Sequence, residues 1–155
     1  MSTTDVLTDN GWPRPRMGGW PIPWVSPAAD LSEMDPARYN ACASGAVCAV
    51  CGDGYPAGAD AYALALTDRV DPLTDLSDGV LRPMDNAVMH ERCLRLALAW
   101  CPELARKHAA GALVCVRVPA NAAVVEPNED GDGVRGVIDG ARCEVVPMPP
   151  VGTRR

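Results

Sequence analysis

The chain has 155 residues, a length that fits one compact domain with tails and no second core. Its apolar share is an ordinary 48%, but there is no Phe and only 4 Trp and 3 Tyr, so the core must be built mostly from small side chains that each bury little area, and a metal staple would help it. A formal net charge of -6 argues against a protein that grips nucleic acid through a broad basic face and leaves room only for a local basic patch.

No run approaches the ~20 apolar residues that cross a bilayer, and the opening MSTTDVLTDNGW lacks the basic and apolar regions of a secretion signal. A cytoplasmic location is therefore expected. In a reducing cytosol, seven cysteines, an odd number, suit metal ligands and buried free thiols better than a disulfide framework.

Residues 1–40 read as an extended arm. Trp12-Pro13-Arg14-Pro15-Arg16 and Trp20-Pro21-Ile22-Pro23-Trp24 carry proline at a density that blocks helix and central strand alike. Indoles held by flanking prolines lose little entropy on ordering, which makes Trp20 and Trp24 candidate partner-binding residues, with packing across the chain's own core as the other use.

Residues 41–118 hold the metal-binding section. Cys48-Ala49-Val50-Cys51-Gly52, followed by Asp53-Gly54, suits a tight knuckle whose backbone N–H groups face thiolates. From Asp60 to Leu66 the side chains alternate, with Tyr62, Leu64 and Leu66 on one face and Ala61, Ala63 and Ala65 on the other, so a strand is expected whose Ala face permits close packing. Residues 68–87 read as a long acidic loop, given Asp71-Pro72, Asp78-Gly79 and Pro83. A helix starts near His90: Glu91 sits in its first turn, and Leu94, Ala97, Leu98, Cys101 and Leu104 keep amphipathic spacing until Pro102 bends or restarts it.

Ala112 to Val118 alternates as a short strand. Residues 119–147 read as a C-terminal extension in which Val134 to Ile138 and Ala141 to Val146 form a hairpin through Asp139-Gly140, and 148–155 as a disordered tail.

The chemistry is concentrated in two pairs, C-x2-C at Cys48 and Cys51 and H-x2-C at His90 and Cys93. Two residues between ligands let one turn of knuckle or helix present both to a tetrahedral Zn²⁺, and Cys3His is a normal structural shell. A knuckle, a hairpin and then a helix carrying the second pair is the order of a treble-clef zinc finger. Cys42 is the rival ligand nearest in sequence, while Cys101, Cys115 and Cys143 lack a partner at metal spacing. A redox role for Cys48 and Cys51 lacks the surrounding βαβ pattern.

The runs Gly19-Trp20-Pro21-Ile22-Pro23-Trp24, Cys48-Ala49-Val50-Cys51-Gly52 and Met89-His90-Glu91-Arg92-Cys93 with Cys101-Pro102 resemble a set of small actinobacterial and actinophage zinc-knuckle proteins. Those proteins pair a G-x-P-x-P-W arm with C-x2-C-G and M-H-x-x-C motifs. The resemblance covers about residues 12 to 105 and implies a zinc fold in an actinobacterial or phage setting, without an activity. The near-exclusive use of Arg, with Lys107 the one lysine, fits high-GC coding of that kind.

Other sites fare worse. Asn128, Asp130, Asp132, Gly133 and Asp139 match the spacing of a calcium loop, yet Pro127 blocks its entering helix and Arg135 replaces an apolar residue. Zinc deaminases need H-x-E before P-C-x-x-C, and here the order is reversed. A zinc-supported nuclease needs a further His base, but His108 has no acidic partner nearby in sequence and reads as a helix-end cation. The expectation is thus a small α+β domain, non-catalytic, holding one Zn²⁺ through Cys48, Cys51, His90 and Cys93 and acting as an adaptor for a protein partner. The alternative is a nucleic-acid-binding regulator that uses Arg92, Arg95, Arg106 and Lys107.

Overall fold

The structure, a computed structural model, describes residues 23–26, 35–67 and 80–151, together with the backbone of residues 8–9, 12–13, 16–17 and 20–21. In the arm, Thr8–Asp9 pairs with Trp12–Pro13, and Arg16–Met17 with Trp20–Pro21. The Trp20 side chain and residues 68–79 of the acidic loop lie outside the described residues.

A first helix, α1 (Pro36–Cys42), occupies the end of the segment read as arm. Its start signal is local: the Asp35 carboxylate accepts from Arg38 N at 3.1 Å, and Pro36 supplies a preset φ where no N–H is needed.

The next elements carry the main sheet. The strand β1 (Asp60–Leu66) forms where alternation places it. After β2 (Val80–Leu81) and a 3-10 turn at Met84–Asn86 comes β3 (Val88–Met89), which runs straight into α2 (Glu91–Trp100) and α3 (Pro102–Ala109). The break between the helices falls at Cys101, held extended at φ -85, ψ 114 by the proline behind it. Then follow β4 (Leu113–Pro119), β5 (Val124–Pro127), β6 (Val134–Asp139) and β7 (Glu144–Val146).

These strands make two antiparallel sheets, ordered β7-β4-β1-β3 and β2-β6-β5. Alternation along β1 and β4 splits the core into two layers. Leu64, Leu113 and Cys115 face the knuckle and α2, where Leu94 and Leu98 are fully buried. Ala61, Ala65, Val116 and Val118 face the second sheet and meet Leu81 and Ile138. The small Ala residues let the sheets approach closely.

The expected hairpin through Asp139-Gly140 does not form: β6 pairs with β5 and β2, whereas β7 joins the other sheet beside β4. A two-residue hairpin turn of that type needs positive φ at its central positions. Asp139 instead has φ -57, and its carboxylate accepts from Ala141 N at 3.0 Å, starting a 3-10 turn at Gly140–Arg142 that carries the chain between sheets. Residues 119–147 therefore complete the core. The segment after 147 begins with packed residues: Met148 lies against the core, Pro149 is buried, and Pro150 O accepts from Arg95 Nε at 3.0 Å.

Asn86 fastens α1 to β6. Buried at 3% exposure, its amide nitrogen donates to Val134 O and Tyr39 O, and its oxygen accepts from Gly136 N at 3.1 Å. Gly136 is required there, since a Cβ would lie 2.2 Å from Ala43 O.

Candidate metal centre

The knuckle is held from three directions. Within it, Gly52 N donates to Cys48 O at 2.8 Å and Cys48 N to Asp53 O at 2.9 Å, with Gly52 at φ 79 where a side chain would be strained. On one side the arm pins it, through Trp24 N to Val50 O at 2.8 Å and Val25 N to Ala49 O at 3.1 Å. On the other, Ala49 N donates to Val88 O at 3.2 Å, tying it to β3. Because β3 pairs with β1 and ends one residue before His90, the fold cancels the long separation in sequence and brings both ligand pairs to one point.

Cys48, Cys51, His90 and Cys93 present one ligand atom each, all within 4.8 Å of one another, and this is the metal-competent cluster found among the described residues. Cys51 Sγ lies 3.5 Å and Cys93 Sγ 3.9 Å from His90 Nδ1. Zn–S bonds of about 2.3 Å and Zn–N bonds of about 2.0 Å in a tetrahedron give ligand separations of roughly 3.5–3.8 Å, so the spacing suits a zinc-sized ion. The three sulfurs are buried and the imidazole half-buried, so the centre is part of the main core.

His90 is set for coordination by its other nitrogen. Nε2 lies 3.2 Å from Gly54 O, and a carbonyl can only accept, so the proton sits on Nε2 and the Nδ1 lone pair faces the thiols. The ring also packs on Tyr55, with centroids 4.4 Å apart. As the N-cap of α2, His90 makes no side-chain cap bond, because its ring is turned to the cysteines.

The sulfurs form one proton-sharing group. Burial works to raise the Cys48 thiol, but hydrogen bonds from the Cys51 and Cys93 side chains and from the backbone N–H groups of Cys51 and His90 outweigh it and draw it well below its ordinary value. Cys93 moves the opposite way, because it donates to Cys48 and Cys51 and is itself buried. Such a group retains protons that a divalent cation displaces on binding. Cys42 stands apart: burial, with the nearby charge of Cys48, pushes its thiol up to about 12, and it is not a member of the four-residue cluster. Of the remaining cysteines, Cys115 is buried in the core and Cys101 and Cys143 are half-buried.

The basic residues read as a nucleic-acid face are engaged within the molecule. Arg92 lies beside the Cys93 and Cys51 sulfurs, whose hydrogen bonds and charge outweigh burial and raise it. Arg95 holds Pro150 O, Arg106 binds both Glu103 oxygens at 2.7 Å, and Lys107 reaches Glu103 at 3.0 Å. Trp24 is half-buried against the core, under the Arg38 guanidinium at 4.9 Å from its ring centroid. In the calcium-like loop, Asn128 Nδ2 donates to Asp132 O and Asp130 Oδ1 accepts from Asp132 N, so these groups close the β5–β6 turn. Two contributors were not apparent in the sequence, Tyr55 and the Gly54 carbonyl; their one signal is that they directly follow the knuckle.

Beside the knuckle a largely apolar cleft of about 410 Å³ opens between the arm and the helices, lined by Val25, Val50, Met89, Leu96, Trp100 and Leu104, with Asp85, Glu103 and Lys107 among its polar groups. No helix among the described residues is long and apolar enough to cross a membrane. Comparison with known proteins finds no matching family, no curated relative and no solved structure.

Proposed function

We propose that this chain is a non-catalytic structural-zinc protein in which Cys48, Cys51, His90 and Cys93 tie a knuckle, an antiparallel strand pair and a helix start into a treble-clef-like unit. The observation that carries the reading is the donor set: three buried thiols and an imidazole nitrogen whose tautomer is fixed by Gly54. Thiolate-rich tetrahedral shells favour zinc over the harder divalent ions. With four protein donors no position is left for an activated water, which is why the proposal excludes metal-assisted hydrolysis.

The wider role we propose is that of a protein-interaction factor, in the phage or prophage setting that the motif resemblance implies. Its support is the apolar cleft next to the knuckle, a concave surface of the size that takes a partner's side chains. The nucleic-acid alternative draws no comparable support, since Arg92, Arg95, Arg106 and Lys107 all have intramolecular contacts.

Protein purified without a metal-binding tag is expected to carry one zinc per chain by elemental analysis, and the Cys48→Ser, Cys93→Ser double variant none. Zinc-free wild type would overturn the reading. For the interaction role, capture from the host is compared between wild type and Leu104→Glu in the cleft. A partner lost in a variant that keeps its zinc and its circular dichroism supports the role, and no specific partner for either protein removes it.

A further inference from the structure

Tyr55 is unaccounted for by the four-ligand shell. Its ring stacks on His90, the residue before it accepts the His90 Nε2 proton, and its hydroxyl is fully buried with no hydrogen-bonding partner among the described residues. A buried hydroxyl donor left unpaired carries its whole desolvation cost, and native structures rarely tolerate one without a purpose.

The packing of the side chain points to its acceptor. Besides stacking on His90, Tyr55 packs against the core cluster that holds Cys48, Cys51 and Cys93, so the ligand sulfurs of the centre are the acceptors that its surroundings offer.

We propose that Tyr55 is a positioning residue of the metal centre, its buried O–H donating a hydrogen bond to a cysteine thiolate of the Cys48, Cys51 and Cys93 set once a divalent cation is bound. This rests on the zinc reading given above. A coordinated cysteine is held as a thiolate, so the orphaned hydroxyl gains a charged acceptor, the stronger kind of partner. The bond draws electron density from the sulfur, orients it toward the ion and covers it against attack by electrophiles and chelators. The centre is then built to keep its metal.

The test loads wild type and Tyr55→Phe with Co²⁺ and with Zn²⁺. Phe keeps the ring on His90 and removes only the donor. The sulfur-to-cobalt charge-transfer bands are expected to move to lower energy in the variant, because a thiolate without its hydrogen bond ionises more easily, and Zn²⁺ is expected to leave to a competing chelator about tenfold faster. Identical bands and identical release rates would overturn the proposal while leaving the zinc reading intact. Wild type that binds neither ion would overturn the zinc reading itself. Should Tyr55→Phe fail to fold, wild type loaded with cadmium-113 decides the matter: a tyrosine hydroxyl proton coupled to the metal by NMR supports the bond, and a metal-bound protein whose Tyr55 proton shows no such coupling refutes it.

Discussion

His90 shows how much one residue's position settles. It directly follows β3, caps α2 and leads the second ligand pair, and its ring gives one nitrogen to Gly54 O and the other to the sulfurs. The ligand quartet was legible because paired spacing is a local property, whereas Tyr55 and Arg92 act through neighbours that only the folded chain supplies. Asn86 is a second residue of that kind, at φ 56 with its amide spread over Tyr39, Val134 and Gly136. Replacing it by Ala is expected to destabilise the zinc-loaded protein by about 2–3 kcal/mol in denaturant titration, since buried backbone groups lose their partners. Asn86→Gly should cost about 1 kcal/mol less, because glycine adopts the left-handed backbone without strain. Cys115 gives a pH signature. Burial, with the charge of Glu91, pushes its thiol up to about 11. Its raised value means the stability is intact below the ordinary thiol range and is lost as pH climbs from about 9 through about 11, where the unfolded chain releases a proton that the folded chain keeps. The slope from this group approaches about 1.4 kcal/mol per pH unit, and Cys115→Ala should remove it from the alkaline limb of the unfolding curve.

At the level of elements, β1, α2, α3 and β4 follow from periodicity, with Pro102 marking the break between the helices. The helix α1 was hidden inside a proline-rich segment, although Asp35-Pro36 is a recognisable start. The misread hairpin has a different cause: Asp139-Gly140 carries the dipeptide of a tight turn, but the pairing of β6 with β5 and β2 is non-local and leaves it a 3-10 connection. The arm contributes through Trp24, which bonds to the knuckle backbone and lies under Arg38. Trp24→Ala is therefore expected to lower the melting temperature by roughly 4–8 °C, corresponding to about 2 kcal/mol for a half-buried indole in a domain of this size. An unchanged melting temperature would show that the arm adds nothing to the body. Gly136→Ala should destabilise by about 1–3 kcal/mol, because its methyl group must push α1 off β6.

At the scale of the whole molecule, the described residues form three layers that share a core of small side chains: helices with knuckle, the four-stranded sheet, and the three-stranded sheet. The layering was only partly readable, since composition announces a small-residue core but not that the Ala face of β1 seats a second sheet. In such a core the proposed zinc joins α2 to the knuckle where apolar area is scarce. Structural zinc contributes on the order of 10 kcal/mol, comparable with the entire ~5–15 kcal/mol stability of a domain, so chelation should abolish the near-ultraviolet circular dichroism and the cooperative melt. The centre itself is tested most directly by X-ray absorption at the zinc edge on protein purified without a metal-binding tag. The Cys48, Cys51, His90 and Cys93 quartet predicts stoichiometric zinc with three sulfurs at about 2.3 Å and one nitrogen at about 2.0 Å. A four-sulfur shell, which would bring in Cys42, an oxygen-bearing open shell, or protein without zinc would contradict it.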